Sequence, residues 1–187
     1  MKTPDLQTAR LVVRLIASAE PSEMADFFRR NRDHLKATEP QRPDDFYTDE
    51  YWTERVEAAR AEFASETSVR LYFGLRSDPS RVLGTVNFTQ IFRGSFQACY
   101  LGYAADGQVL NQGYATEAIK AAIEYVFDEM NLHRIMANYL PENHASARVL
   151  AKLGFSIEGT AKNYLFINGS WRDHVLTSLT NDHWRGS

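Results

Sequence analysis

Two places in the chain put small or polar residues directly ahead of an apolar helix. A helix start of that kind leaves backbone N–H groups free to meet an anion, commonly a phosphate. The first is Gln112-Gly113-Tyr114-Ala115-Thr116-Glu117, with no acidic residue or proline at the junction. It leads into a stripe of Ala115, Ala118, Ile119, Ala122, Ile123, Val126, Phe127 and Met130, which predicts a helix over 115–130. An ordinary turn into a core helix would look the same. The second place is Pro141-Glu142-Asn143-His144-Ala145-Ser146, where Asn143 suits an N-cap. The Ser146 hydroxyl can cap its own turn or serve a reacting group. That helix has Ala145, Val149, Leu150 and Leu153 inward and stops at Gly154-Phe155.

Other chemistries lack a signal. His34, His133, His144, His174 and His183 are scattered, with no i+3 or i+4 pair to make a metal face, so no metal is expected. There is no G-x-S-x-G elbow, phosphate-binding G-x-x-x-x-G-K loop or dinucleotide fingerprint. Cys99, the single cysteine, lies in an alternating strand-like run and is expected to pack.

The elements that must position the two junctions read as follows. A strand at Arg10–Leu15 precedes one helix from Pro21 to about Arg32 and another from about Thr48 to Phe63. Strand-rich segments follow around "VRLYFGLRS", "RVLGTVNFTQIF" and "FQACYLGYA", joined by tight turns as in an antiparallel meander. After the 115–130 helix come a strand at Arg134–Leu140, the 144–153 helix, and two strands joined at Asn168-Gly169. The order is β-αα-βββ-α-β-α-ββ. Each junction thus places a helix start near the carboxyl end of a strand, where ligands bind in α/β sheets. The chain has 187 residues, 44% hydrophobic and 24% charged, with no repeat or low-complexity tract, so one domain over 1–187 is expected. A net charge of -3 argues against a nucleic-acid surface. The opening residues have no apolar core of a signal peptide, and nowhere do about 18 apolar residues run together. A cytoplasmic, membrane-free protein is expected.

These junctions resemble those of the GCN5-related N-acetyltransferase (GNAT) superfamily. Its pyrophosphate loop, Q/R-x-x-G/A-x-G/A, is matched at Gln112 and Ala115, while Glu117 stands at the sixth position, a departure common in the RimJ/RimL branch. Its N-x-x-S-x-x-x-L-x-x-x-G-F motif is complete in Asn143, Ser146, Leu150, Gly154 and Phe155. The strings "RGSFQACYLGY", "HRIMANYLPEN" and "WRDHVLTSLT" resemble that branch closely, so the likeness covers roughly residues 8 to 184.

The resemblance implies a GNAT α/β fold: a mixed, mostly antiparallel twisted sheet splayed between two central strands and flanked by about four helices. It implies acetyl-CoA as co-substrate, its pyrophosphate on Gln112, Gly113, Tyr114, Ala115, Thr116, Glu117 and Ala118. The pantetheine arm would pair with Leu101, Gly102 and Tyr103, and Asn143 and Ser146 would also touch CoA. Glu117 is expected only to complement the helix dipole. The implied reaction is direct acetyl transfer to the α-amine of an N-terminal alanine on a small-subunit ribosomal protein. Ser146 would assist the departing thiolate, and a backbone N–H near Gly102 or Tyr103 would meet the oxyanion. No acid stands in "KNYLFI", where a relative carries its glutamate. A free α-amine titrates at about 7.7–8.0, so a strong base is dispensable. Glu39 is the candidate for holding or deprotonating the amine, with a solvated loop acid as its other reading. The stretch Glu39–Glu57 holds seven acids against Arg42 and Arg55, a lip suited to a basic protein tail. Phe46, Tyr100 and Tyr164 are candidate walls of a small pocket for the first residue. A small-amine acetyltransferase (polyamine or amino-sugar) and a non-catalytic ribosome-associated CoA-binding module are the alternatives.

Overall fold

Apolar residues buried on both faces of the strands set the architecture. The structure, a computed structural model, describes residues 2–186. In chain order the strands are β1 (Asp5–Gln7), β2 (Leu11–Leu15), β3 (Val69–Leu75), β4 (Gly84–Phe92), β5 (Ala98–Ala105), β6 (Arg134–Tyr139), β7 (Ser156–Ile167) and β8 (Ser170–Thr180). The helices are α1 (Pro21–Arg30), the one-turn α2 (Arg32–Leu35), α3 (Asp49–Ala64), α4 (Tyr114–Met130) and α5 (His144–Lys152). All eight strands join one sheet in the order β1-β2-β3-β4-β5-β6-β8-β7. Every neighbouring pair is antiparallel except β5–β6.

One face of the sheet, with Val86, Phe88, Cys99, Leu101, Ile135 and Ala137, packs on Ala118, Ile119, Ala122 and Val126 of α4. The other face, through Tyr72 and Ala104, meets Met24, Phe27, Phe28, Trp52 and Val56 of α1 and α3. The period-2 strands and 3.6-period helices therefore meet as the sequence pattern requires. Cys99 is fully buried, and burial pushes its thiol up to about 12.

Two local differences have clear causes. β1 has only three residues, too short and polar to show a period. The expected 21–32 helix breaks at Asn31, which is 2% exposed. Its Nδ2 donates to the Phe27 carbonyl at 2.9 Å, and its Oδ1 accepts from the Gly107 amide at 2.9 Å. A side chain bonded to backbone on both sides competes with helix continuation. The remainder re-forms as α2, giving five α-helices among the described residues. The β7–β8 turn is tight, with φ of 48° at Asn168 and 81° at Gly169, the positive values such a two-residue hairpin needs.

Candidate active site

The parallel pair β5–β6 is joined over three positions only: Ala98–Arg134, Cys99–Ile135 and Tyr100–Met136. Beyond them β5 stays bonded to β4 through Leu101–Ala105, and β6 stays bonded to β8 through Ala137–Tyr139. The edges that face each other are therefore unpaired, and a fork opens with its apex at Tyr100 and Met136. Unpaired strand edges must find partners. At Gly102, on the open side, an added Cβ would meet nothing within 4 Å.

The far end of β5 is pinned. The Asp106 side chain is 1% exposed and its Oδ2 accepts from Arg30 Nε of α1 at 2.8 Å. Its Oδ1 accepts from the Gln108 amide at 2.9 Å. Burial pushes this carboxyl up, and the bonds from Gln108 and Arg30 outweigh it, so the net shift is downward.

At the mouth of the fork α4 begins. Gly113 is its N-cap at φ 81°, with no side-chain cap. The amides of Tyr114, Ala115 and Thr116 lie in the first turn and have no carbonyl one turn behind them. Arg10, from the β1–β2 link, covers this turn: its Nη1 donates to the Gln112 carbonyl at 3.0 Å, and its guanidinium lies 4.4 Å from the Tyr114 ring centre. Glu117 does more than complement the dipole. Its Oε1 accepts from Thr8 Oγ1 at 2.6 Å and from the Arg10 amide at 2.9 Å, and its Oε2 accepts from Arg10 Nε at 2.7 Å. Burial pushes the Glu117 carboxyl up, and the Thr8 and Arg10 bonds together carry it below its ordinary value. Ala118 faces the core.

Across the mouth lies α5. Asn143 is its N-cap, its Oδ1 accepting from the Ser146 amide at 3.0 Å. The cap thus comes from Asn143, and the Ser146 hydroxyl makes none of the side-chain hydrogen bonds found among the described residues. Tyr103 of β5 reaches over, its hydroxyl donating to the Ser146 carbonyl at 3.5 Å. Burial first pushes the Tyr103 phenol up to about 12, so it stays protonated near neutral pH. Leu101–Tyr103, the 112–118 turn, Asn143 and Ser146 thus surround one fork. It fits an elongated amide-bearing arm that ends in phosphate: open strand edges for the amides, a bare helix start for the anion.

Glu39 lies elsewhere. It lines a cleft of about 440 Å³ between the loop after α2 and the β7–β8 turn, with Arg32, Arg42, Phe46 and Asn168. Its Oε2 accepts from Arg42 Nη2 at 3.0 Å. Phe46 is at the floor, packed on Phe28 and Trp52, so the three candidate pocket walls are divided between this cleft and the fork. The acidic lip is also partly neutralised. Arg29 pairs with Asp49 at 3.2 Å, Arg32 with Asp44 at 3.3 Å and Arg60 with Glu57 at 2.9 Å. These arginines lie outside 39–57, so counting charge within that stretch missed them.

Residues 10–156 match the acetyltransferase (GNAT) domain family. The chain belongs to this family. It is 44% identical over 180 residues, 96% of its length and 92% of the relative's, to the [ribosomal protein uS5]-alanine N-acetyltransferase of Escherichia coli. Its structure resembles the crystal structure of ribosomal-protein-S5-alanine acetyltransferase from Vibrio fischeri, with TM-score 0.93 and 39% identity over 97% of this chain and 98% of that one. It also resembles Mycobacterium smegmatis RimJ in complex with CoA-disulfide, with TM-score 0.84 and 26% identity over 95% and 85% of the two chains. The GNAT fold, splayed between two parallel strands, is the one the acetyltransferase resemblance implied. No helix among the described residues is long and apolar enough to cross a membrane. Arg10 and Thr8, which hold the 112–118 turn through Glu117, were not among the residues the sequence pointed to. Their only sequence signal is Glu117, a carboxylate set where the family loop has a small residue.

Proposed function

We propose that this acetyltransferase moves the acetyl group of acetyl-CoA to the α-amine of an N-terminal alanine on a ribosomal protein. The observation that carries the reading is the unpaired run Leu101–Tyr103 facing Ala137–Tyr139, beside the free amides of the Gly113 turn. Leu101, Gly102 and Tyr103 would bond the pantetheine amides. Tyr114, Ala115 and Thr116 would direct their N–H groups at the pyrophosphate, with the helix dipole adding favourable charge. Asn143 and Ser146 would border the sulfur end from α5. Acetyl-CoA supplies an activated thioester; the protein's part is to align an uncharged amine with it and exclude water. Alanine as acceptor is supported by the likeness to the uS5-alanine N-acetyltransferase of E. coli over nearly the whole chain.

A basic tail behind the alanine is favoured by the lip, where Asp45, Glu50 and Glu54 form none of the ion pairs found among the described residues. Such rim charge mostly accelerates encounter and fades with added salt. The test is initial rates on two peptides differing only at residue one, alanine against leucine, at low and high salt, with a polyamine as third acceptor. Faster acetylation of the alanine peptide, at its α-amine by mass spectrometry, is expected. Equal rates on the two peptides, or a faster rate on the polyamine, would overturn the reading.

A further inference from the structure

The register of β7 against β8 shifts twice, between Ile157 and Gly159 and again between Ala161 and Leu165; the second shift forms a bulge over residues 162–164. Inside this bulge Asn163 adopts φ 49° and its amide donates to Asp173 Oδ1 at 2.8 Å. A bulge re-aims the side chains beside it, and the residue re-aimed here is Tyr164. Its ring packs on the buried His174 of β8, with centres 5.7 Å apart. Its hydroxyl reaches past β8 to β6, where Asn138 Nδ2 donates to it at 3.3 Å.

Tyr100 arrives at the same point from β5. Burial and then its hydrogen bond to Tyr164 raise the Tyr100 phenol, which therefore stays protonated. Tyr100 is the last β5 residue paired with β6, and Asn138 is the second β6 residue beyond that pairing. Three side chains from three strands thus meet at the apex of the fork. They stand on the face opposite α4, because Cys99, Leu101 and Ala137 face the α4 core. From the mouth at Ala105 to the apex at Tyr100 is about 17 Å of strand. An arm that enters from the Gly113 turn, passes Ser146 with its sulfur and runs on along β5 would carry its acetyl end toward this cluster.

The direction of the bonds decides what the cluster can do. The Asn138 amide gives a hydrogen to the Tyr164 oxygen, and the Tyr100 hydroxyl stands beside it. With that hydrogen accepted, Tyr164 has its own O–H to offer, and the incoming Asn138 donor polarises that bond. The group is set to donate, not to take a proton.

Resting on the acetyl-transfer reading, we infer that Tyr164 is a catalytic residue whose hydroxyl donates a hydrogen bond to the carbonyl oxygen of the acetyl thioester. The amine lone pair forms the new C–N bond while the carbonyl π pair moves onto oxygen, against the Tyr164 O–H. That pair's return breaks the C–S bond and releases the thiolate, and the amine's surplus proton passes to water. Tyr164 keeps its proton throughout. Asn138 and Tyr100 are positioning residues that act through it.

The experiment compares wild type with Tyr164→Phe and Tyr100→Phe, using acetyl-CoA labelled with ¹³C at the carbonyl. In the vibrational spectrum of the bound thioester, Tyr164→Phe should move the carbonyl stretch to higher frequency, and Tyr100→Phe should move it part of the way. The Tyr164→Phe kcat should fall on the order of 10²-fold, while calorimetric affinity for acetyl-CoA falls by about tenfold at most and the midpoint of the pH–rate profile stays in place. An unmoved carbonyl band overturns the inference, as does a pH–rate profile displaced without a band shift, which would mark a base. If wild type binds acetyl-CoA yet leaves the alanine peptide untouched, the acceptor reading falls, and the band alone decides for or against Tyr164.

Discussion

Arg10 and Glu117 stand 107 positions apart in sequence and meet through Arg10 Nε and Nη2 on one carboxylate oxygen, at 2.7 and 2.6 Å. The Arg10 amide and the Thr8 hydroxyl take the other oxygen. Together they fasten the β1–β2 link to the first turn of α4, the turn whose free amides would face the pyrophosphate. Arg10→Gln or Glu117→Gln should loosen that turn and weaken acetyl-CoA binding about tenfold, or ~1.4 kcal/mol. Arg10→Lys should not restore it, because a single ammonium cannot serve Glu117 and the Gln112 carbonyl together. Calorimetric titration with acetyl-CoA checks both statements.

Gly113 tests the same turn by a separate route. At φ 81° any side chain is strained, and a Cβ would approach Arg10 Nη2 at 3.4 Å. Gly113→Glu adds charge to bulk and should weaken acetyl-CoA binding by about tenfold or more. Unchanged affinity would move the binding site elsewhere.

Asn143 and Ser146 should separate cleanly. Asn143→Ala removes the α5 cap and should cost about 1 kcal/mol of stability, seen as a lower Tm. Ser146→Ala leaves that cap in place. If the hydroxyl assists thiolate departure, its loss should lower kcat on the order of 10²-fold with little change in KM for acetyl-CoA or in Tm.

Glu39 is bonded to Arg42 in a cleft lined by the hairpin turn and not by fork residues. We expect Glu39→Gln to raise KM for the peptide while kcat stays within about threefold, the signature of binding without proton transfer. A steep loss of kcat with a displaced pH–rate profile would restore Glu39 as the base.

Acid stability should report Asp106 and Glu117. Both carboxyls titrate below their ordinary values in the folded protein. Their stabilisation is present above the unfolded carboxylate range, about pH 3.9–4.3, and is lost as pH falls through the depressed folded values. Asp106→Asn leaves the Arg30 guanidinium without its buried partner and should cost about 3 kcal/mol near neutrality. It should also flatten the acid limb of a stability-against-pH curve. An acid limb identical to wild type would show that other groups set it.

What the residues decided by themselves is local. The α4 stripe, the Asn143 cap and the Asn168-Gly169 turn each depend on neighbours within about one helical turn or one hairpin, where period and backbone preference act directly. The two helix starts that surround the fork were legible for that reason. What the tertiary structure decided is everything that depends on which distant strand lies alongside. The insertion of β8 between β6 and β7 and the halt of β5–β6 pairing after Tyr100 leave no periodic trace. The same holds for Arg29 and Arg32 folding back on the lip, and for Arg10 crossing to Glu117. Tyr164 shows the division most sharply. Its place on a strand follows from the residues around it, but a bulge turns its hydroxyl onto Asn138 and Tyr100. A one-residue slip in register changes which face a side chain occupies, and register is set by the partner strand.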